Sequence, residues 1–181
     1  MADIKLSSTS YTVLGLLSYG EELSGYEIRK WAENLRFFYW SPAQSQIYLE
    51  LRKLSKLGYV SSLEVRQEGK PDKRMYSITQ EGKLEFERWI NHEPLEPTVI
   101  KHSLVLRLFF GHMADEKRLE QLLEHFINET QNQLAEIAVV QEFTEHDERS
   151  AYPALVAEWG YRYYQNELGI AQKMLEHLKT P

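Results

Sequence analysis

The periodicity of the chain changes at Gly58, and that change limits the folds open to it. Upstream, apolar residues recur every three or four positions, the spacing of helices that bury one face. Downstream, Tyr59-Val60-Ser61-Ser62-Leu63-Glu64-Val65 and Arg74-Met75-Tyr76-Ser77-Ile78-Thr79 read as strands. Between them stands the charged, turn-rich Gly69-Lys70-Pro71-Asp72-Lys73, so a long-tipped β-hairpin is expected.

Three helices are expected before the hairpin. Ser7-Ser8-Thr9-Ser10 offers capping oxygens to a run containing Tyr11, Val13, Leu14, Leu16 and Leu17, which ends at Tyr19-Gly20. After a polar turn at Glu21-Glu22, Ser24 caps a short amphipathic helix that turns Ile28, Trp31 and Ala32 to one side. Ser41-Pro42 supplies a cap and a first-turn proline for a third helix, whose apolar stripe is Ala43, Ile47, Leu51, Leu54 and Leu57. Beyond the hairpin, Thr79 caps a fourth helix that runs through Trp89. This order is that of a winged helix-turn-helix, whose third helix can enter a DNA major groove while the hairpin lies along the backbone.

Pro94 and Pro97 break any continuing helix. The expected organisation is residues 1–91 as the winged helix-turn-helix, 92–101 as a linker and 102–181 as a helical dimerisation domain. In the last, a short apolar segment stops at Gly111. Asp115 then caps a long helix with Leu119, Leu122, Leu123, Phe126, Ile127, Leu134 and Ile137 at helical spacing. A polar break leads to a final helix with Leu155, Trp159, Tyr163, Ile170, Met174 and Leu178 on a stripe. The fold class is therefore mainly α: a winged helix-turn-helix with a two-stranded β wing plus a C-terminal long-helix hairpin.

The net charge of −6 would argue against a nucleic-acid partner if it were evenly spread. It is not. Through Asn91 there are 13 Lys and Arg against 12 Asp and Glu; the remainder has 8 against 15, so the acidity sits in the second half. Phosphate contact depends on charge within a Debye length, about 10 Å at 0.1 M salt, which leaves the first half able to bind DNA. The absence of cysteine removes thiolate metal sites, disulfides and thiol nucleophiles. No apolar run approaches the roughly 20 residues of a membrane span, and the N-terminus lacks signal-peptide character, so a cytoplasmic protein without membrane contact is expected.

Catalysis finds no anchor. His92, His102, His112, His125, His146 and His177 contain no pair at the helical spacing of a metal site, and neither a phosphate-cradling glycine loop nor a nucleophile elbow is present. A non-enzyme without cofactor or metal is expected. The third helix is better equipped. Opposite its apolar stripe lie Ser41, Ser45, Tyr48, Arg52 and Lys56, flanked by Gln44 and Gln46, while Glu50, its one carboxylate, sits at the margin of the stripe. Hydroxyls and amides exchange hydrogen bonds with base edges, and Tyr, Arg and Lys reach phosphates. Lys70, Lys73 and Arg74 at the hairpin tip supply cations for the same backbone.

In order, Leu14-Gly15-Leu16-Leu17, Leu23-Ser24-Gly25-Tyr26-Glu27-Ile28, Gln46-Ile47-Tyr48, Gly58-Tyr59-Val60 and the run from Gly69 to Gly82 resemble the PadR family of bacterial transcriptional regulators. The tail resembles the family's long helical C-terminal domain, of the virulence-activator alpha-like kind. The resemblance implies a homodimer on a partly palindromic operator near its own or an adjacent gene, usually as a repressor. It also implies Tyr26 and Tyr48 at the phosphate backbone, Gln44, Ser45 and Gln46 near the major groove, and the residues from Lys70 to Arg74 in the wing. Leu49 departs from the family, which often has proline or a polar residue there.

A single such head reads few base pairs, so double-stranded DNA is best bound by two copies about one helical turn apart. The leftover stripe, Leu119, Phe126, Leu134, Trp159 and Met174, is the expected isologous interface, with Tyr11 and Leu14 contributing from the first helix. Trp89, Phe109, Phe110, Trp159 and Tyr163 are candidates to line a pocket for a small aromatic effector, a ligand class the resemblance suggests; core or dimer packing explains the same rings. The residues leave a second function open, a protein-protein interaction module that docks a partner through the winged domain.

Overall fold

The computed structural model describes residues 5–37, 41–66, 72–144 and 151–180, in two compact units, Met1–Glu96 and Pro97–Pro181. The first begins with α1 (Ser8–Leu17), capped reciprocally: Ser7 Oγ accepts the Ser10 N–H at 3.1 Å, and Ser10 Oγ accepts the Ser7 N–H at 3.2 Å. α2 (Gly25–Ala32) carries the same device in Ser24 and Glu27, and a 3-10 turn, Glu33–Phe37, follows it. Val13, Leu14 and Leu17 of α1 and Ile28 of α2 are wholly enclosed.

The third helix starts later than its sequence suggests. α3 spans Gln44–Lys56 and leaves Ser41 and Pro42 outside it. Ala43 is the N-cap and exposed, not part of the buried stripe; Gln46 compensates by accepting the Ala43 N–H on its side-chain oxygen at 3.0 Å. Ile47, Leu51 and Leu54 are fully buried. Gly58 ends the helix at φ +78°, where the Tyr59 N–H reaches the Leu54 carbonyl at 3.0 Å and the Gly58 N–H that of Ser55 at 3.2 Å. This double closure requires the left-handed backbone that glycine adopts freely.

β2 (Val60–Val65) and β3 (Lys73–Ile78) form the expected antiparallel wing, Val60 opposite Ile78 and Val65 opposite Lys73. A third strand joins it. β1 (Leu23–Ser24) pairs with β3 on its other edge, Leu23 opposite Tyr76 and Ser24 opposite Met75, so the sheet has three strands in the order β1-β3-β2. Two residues between a polar turn and a cap carry too little pattern to be recognised as a strand. α4 (Gln80–His92) is capped by Thr79, whose Oγ accepts the Gly82 N–H and donates to the Gly58 carbonyl.

The second unit holds α5 (Ser103–Phe109), a 3-10 turn at Gly111–Met113, and two 29-residue helices, α6 (Glu116–Thr144) and α7 (Ala151–Lys179). The long helices form an antiparallel hairpin. Leu123 and Ile137 of α6 are fully buried, and the enclosed positions of α7 are Ala157, Gly160 and Ala171. Most of the α7 stripe expected from the sequence is exposed: Leu155, Trp159, Tyr163, Ile170 and Met174 all face outward. Small residues let the two backbones approach, so the bulky ones project from the other side. His102 joins the three helices: its Nδ1 accepts the Val105 N–H at 3.3 Å, its Nε2 faces Glu167 Oε2 at 3.0 Å, and its ring lies 5.1 Å from that of Phe126.

Candidate nucleic-acid interface

The outward face of α3 is built by what is withdrawn from it. Glu50 turns inward, where Ser7 Oγ donates to its Oε1 at 3.0 Å, Ser10 Oγ donates to its Oε2 at 2.5 Å, and Lys53 Nζ lies 3.6 Å from Oε2. Gln44, Ser45, Gln46, Tyr48, Leu49, Arg52 and Lys56 remain exposed. The oxygen of Gln46 is committed to the Ala43 cap, and Arg52 Nε bends to the Tyr48 carbonyl at 3.3 Å. Ser41 is half-buried ahead of the helix.

Tyr48 is seated by a glycine. A β-carbon on Gly25 would stand 2.5 Å from Cε1 of the Tyr48 ring, so the ring rests in the space that the glycine leaves at the start of α2. Beside it Tyr26 is 61% exposed. Tyr26, Tyr48, Lys30, Glu27, Lys73 and Arg74 line one open cleft of about 550 Å³ between α2, α3 and the wing. Sequence reasoning missed Lys30, although its position four residues after Tyr26 puts both on one face of α2.

Lys73 and Arg74 differ. Arg74 is exposed, whereas Lys73 Nζ lies 3.1 Å from Glu27 Oε1. The other oxygen of Glu27 accepts the Ser24 N–H at 2.8 Å and the Ser24 Oγ–H at 2.6 Å. These Ser24 hydrogen bonds, then the lysine, hold the Glu27 carboxyl down at about 2. Lys70 lies outside the described residues.

Other expected residues are placed separately. Tyr11 stacks on Trp89 with ring centroids 4.5 Å apart and donates to Glu85 Oε1 at 3.0 Å. Leu14 is fully enclosed, a correction to its place on the expected interface: it fills the core and offers no surface to a second chain. Leu119 is buried in the second unit, and Phe126 and Leu134 are half-buried there. Trp159, Tyr163 and Met174 are exposed on α7, and Phe109 and Phe110 form an exposed edge-to-face pair at the end of α5. A cleft of about 540 Å³ in this unit is lined by Gln141, Leu155, Glu158, Tyr161 and Arg162 rather than by these rings. Among the described residues, no helix is long and apolar enough to cross a membrane.

A helix-turn-helix that presents a carboxylate-free polar helix face beside a basic wing defines a winged-helix DNA-binding regulator. The chain belongs to the PadR-like family of transcriptional regulators, a family of regulators rather than enzymes: residues 13–88 match it, and residues 100–179 match the virulence activator alpha C-term family. Over 128 residues, 70% of this chain and 69% of the other, it is 34% identical to the negative transcriptional regulator PadR of Bacillus subtilis strain 168. The crystal structure of B. subtilis PadR with operator DNA has a TM-score of 0.84 at 25% identity, covering 95% of this chain and 99% of that one. The same protein with p-coumaric acid has a TM-score of 0.73 at 24% identity over 93% and 98% of the two chains. The Vibrio cholerae virulence activator AphA shares the fold, with a TM-score of 0.73 at 21% identity over 95% and 98%.

Proposed function

We propose that this regulator is a cytoplasmic repressor that binds, as a homodimer, a partly palindromic operator near its own or an adjacent gene and is released by a small aromatic effector. The observation that carries this reading is the outward face of α3 beside the cationic edge of the wing, in a chain similar to a negative regulator crystallised on its operator. Gln44, Ser45 and the free amide of Gln46 read base edges, while Ser41, Tyr26, Tyr48, Arg52 and Lys56 position the helix on phosphates. Lys70 and Arg74 are the cations the wing offers to phosphates, while Lys73, expected with them, lies against Glu27.

The exposed apolar residues of α7, Trp159 and Met174 among them, support a second copy as the occupant of that face, with the half-buried Phe126 and Leu134 of α6 as further candidates. The p-coumaric acid complex of B. subtilis PadR supports an aromatic effector, with Trp89, Phe109, Phe110, Trp159 and Tyr163 as candidate contacts. Such a ligand acts by preferring one arrangement of the two reading heads over the other.

The test is binding of the purified protein to DNA from upstream of its own gene against scrambled DNA of equal length, across a salt series. Preferential binding that falls steeply with salt supports the reading; equal or salt-independent signals overturn it and favour a protein partner.

A further inference from the structure

The Glu27 carboxylate is shared between two structural elements. One oxygen caps α2 through Ser24, and the other holds Lys73 at the start of β3. The cap residue itself lies in the sheet, since Ser24 stands opposite Met75, two positions along β3 from Lys73. The start of α2 and the wing are thus joined at two points, one a backbone ladder and one an ion pair. The cleft that this junction borders also contains Lys30 and Arg74 as further cations and Asp72 as a second carboxylate.

We infer that Glu27 is a positioning residue of the DNA-binding face, holding Lys73 back from the phosphates so that this lysine fixes the wing to the helix-turn-helix and leaves backbone contact to its neighbours. The inference rests on the reading of this face as the DNA-binding surface. Lys73 cannot serve both partners at full strength: a phosphate that takes its ammonium leaves Glu27 with an uncompensated charge facing a polyanion. Glu27 cannot swing away with the lysine, because its second oxygen is committed to the helix cap. A salt slope counts the cations that replace counterions, about 0.9 for each phosphate neutralised, so a lysine already neutralised by Glu27 drops out of the count.

The test is a two-residue cycle, E27Q, K73Q and the double variant, in the full-length protein, with slopes measured on scrambled duplex and on DNA from upstream of its own gene. The glutamine oxygen can still accept from Ser24, while its amide no longer neutralises Lys73. K73Q alone is expected to leave the slope unchanged. E27Q is expected to steepen it by about 0.9 and to raise affinity for scrambled duplex about tenfold at low salt; adding K73Q to E27Q returns the slope to that of wild type. A purely structural Glu27 would instead weaken binding without steepening the slope. The inference is overturned if K73Q alone flattens the slope, or if folded E27Q leaves it unchanged. K73Q replaces a partly exposed side chain and can overturn the inference even where E27Q fails to fold. Wild-type protein with no salt-dependent DNA binding overturns the DNA-binding reading, and the inference with it.

Discussion

Ser10 of α1 and Glu50 of α3 meet oxygen to oxygen at 2.5 Å, which turns the one carboxylate of α3 away from the face offered to DNA. Ser10 is fully buried and its hydroxyl lies between Glu50 and the cap of its own helix, so the start of α1 and the middle of α3 share a hydrogen-bond network. Glu50→Ala is expected to destabilise the protein by about 1–3 kcal/mol, the cost of leaving the buried Ser10 hydroxyl without its acceptor. Urea unfolding checks this: the midpoint falls with the slope unchanged, and a midpoint equal to wild type would remove the network from the account.

Leu49 and Leu51 lie two positions apart on α3 and differ completely in surroundings. Leu51 is wholly enclosed and Leu49 is 60% exposed. Leu51→Ala is expected to cost about 2–5 kcal/mol, and Leu49→Ala to change stability by no more than about 0.5 kcal/mol. Comparable losses in the two unfolding curves would contradict the assigned face of the helix.

Tyr11 gives the fold an alkaline limit. Burial first, and then the hydrogen bond to Glu85, push its hydroxyl from the ordinary 10 up to about 12. The folded state favours the protonated form, so this contribution is fully present below pH 10 and is lost as pH rises from 10 through 12. Tyr11→Phe keeps the ring over Trp89 and removes the titrating group. Its stability is expected to be flatter across that window than that of wild type, and parallel pH profiles would show that Tyr11 does not carry the effect.

On the DNA face, Arg74→Ala is expected to weaken binding to operator and scrambled duplex alike and to lower the salt slope by about 0.9. Gln44→Ala and Ser45→Ala are expected to reduce discrimination by about 1–3 kcal/mol per lost base contact, with little change on scrambled DNA. Competition binding separates the two patterns; one common pattern for all three variants would show that the roles are misassigned.

Trp159 is 74% exposed on α7. Under the homodimer reading, Trp159→Asp shifts the protein toward monomer in sedimentation and leaves the melting of the winged unit intact. A variant that remains as associated as wild type would move the interface to another face.

Much of this architecture was legible in the sequence because its signals were large and local. Caps at Ser7, Ser24 and Thr79, the glycine closing α3 and the stripe of Ile47, Leu51 and Leu54 each follow from short-range chemistry. What escaped depended on partners far along the chain or on small side chains. Ala43 gives no sign of being a cap, since the oxygen that completes its turn belongs to Gln46. The Glu27–Lys73 pair spans 46 positions and has no spacing rule. On α7 the stripe of large residues was legible, but not that Ala157, Gly160 and Ala171 mark the side that packs within the unit; an alanine or glycine contributes little to an apolar pattern, yet it decides how near two helices can come. The face of α3 was readable by type, its lack of a carboxylate included, since Glu50 sits at the margin of the apolar stripe; that Ser7 and Ser10 receive this carboxylate only the assembled helices determine.

The missing side chain of Gly25 sets where the Tyr48 ring can rest. One added carbon would displace that ring, whose far end can swing about its own bonds while the backbone of α3 stays in place. A methyl group there would leave the other polar residues of the face where they are and move one hydroxyl. Under the DNA-binding reading, a regulator altered in this way keeps its view of the bases and gives up one handhold on the phosphates.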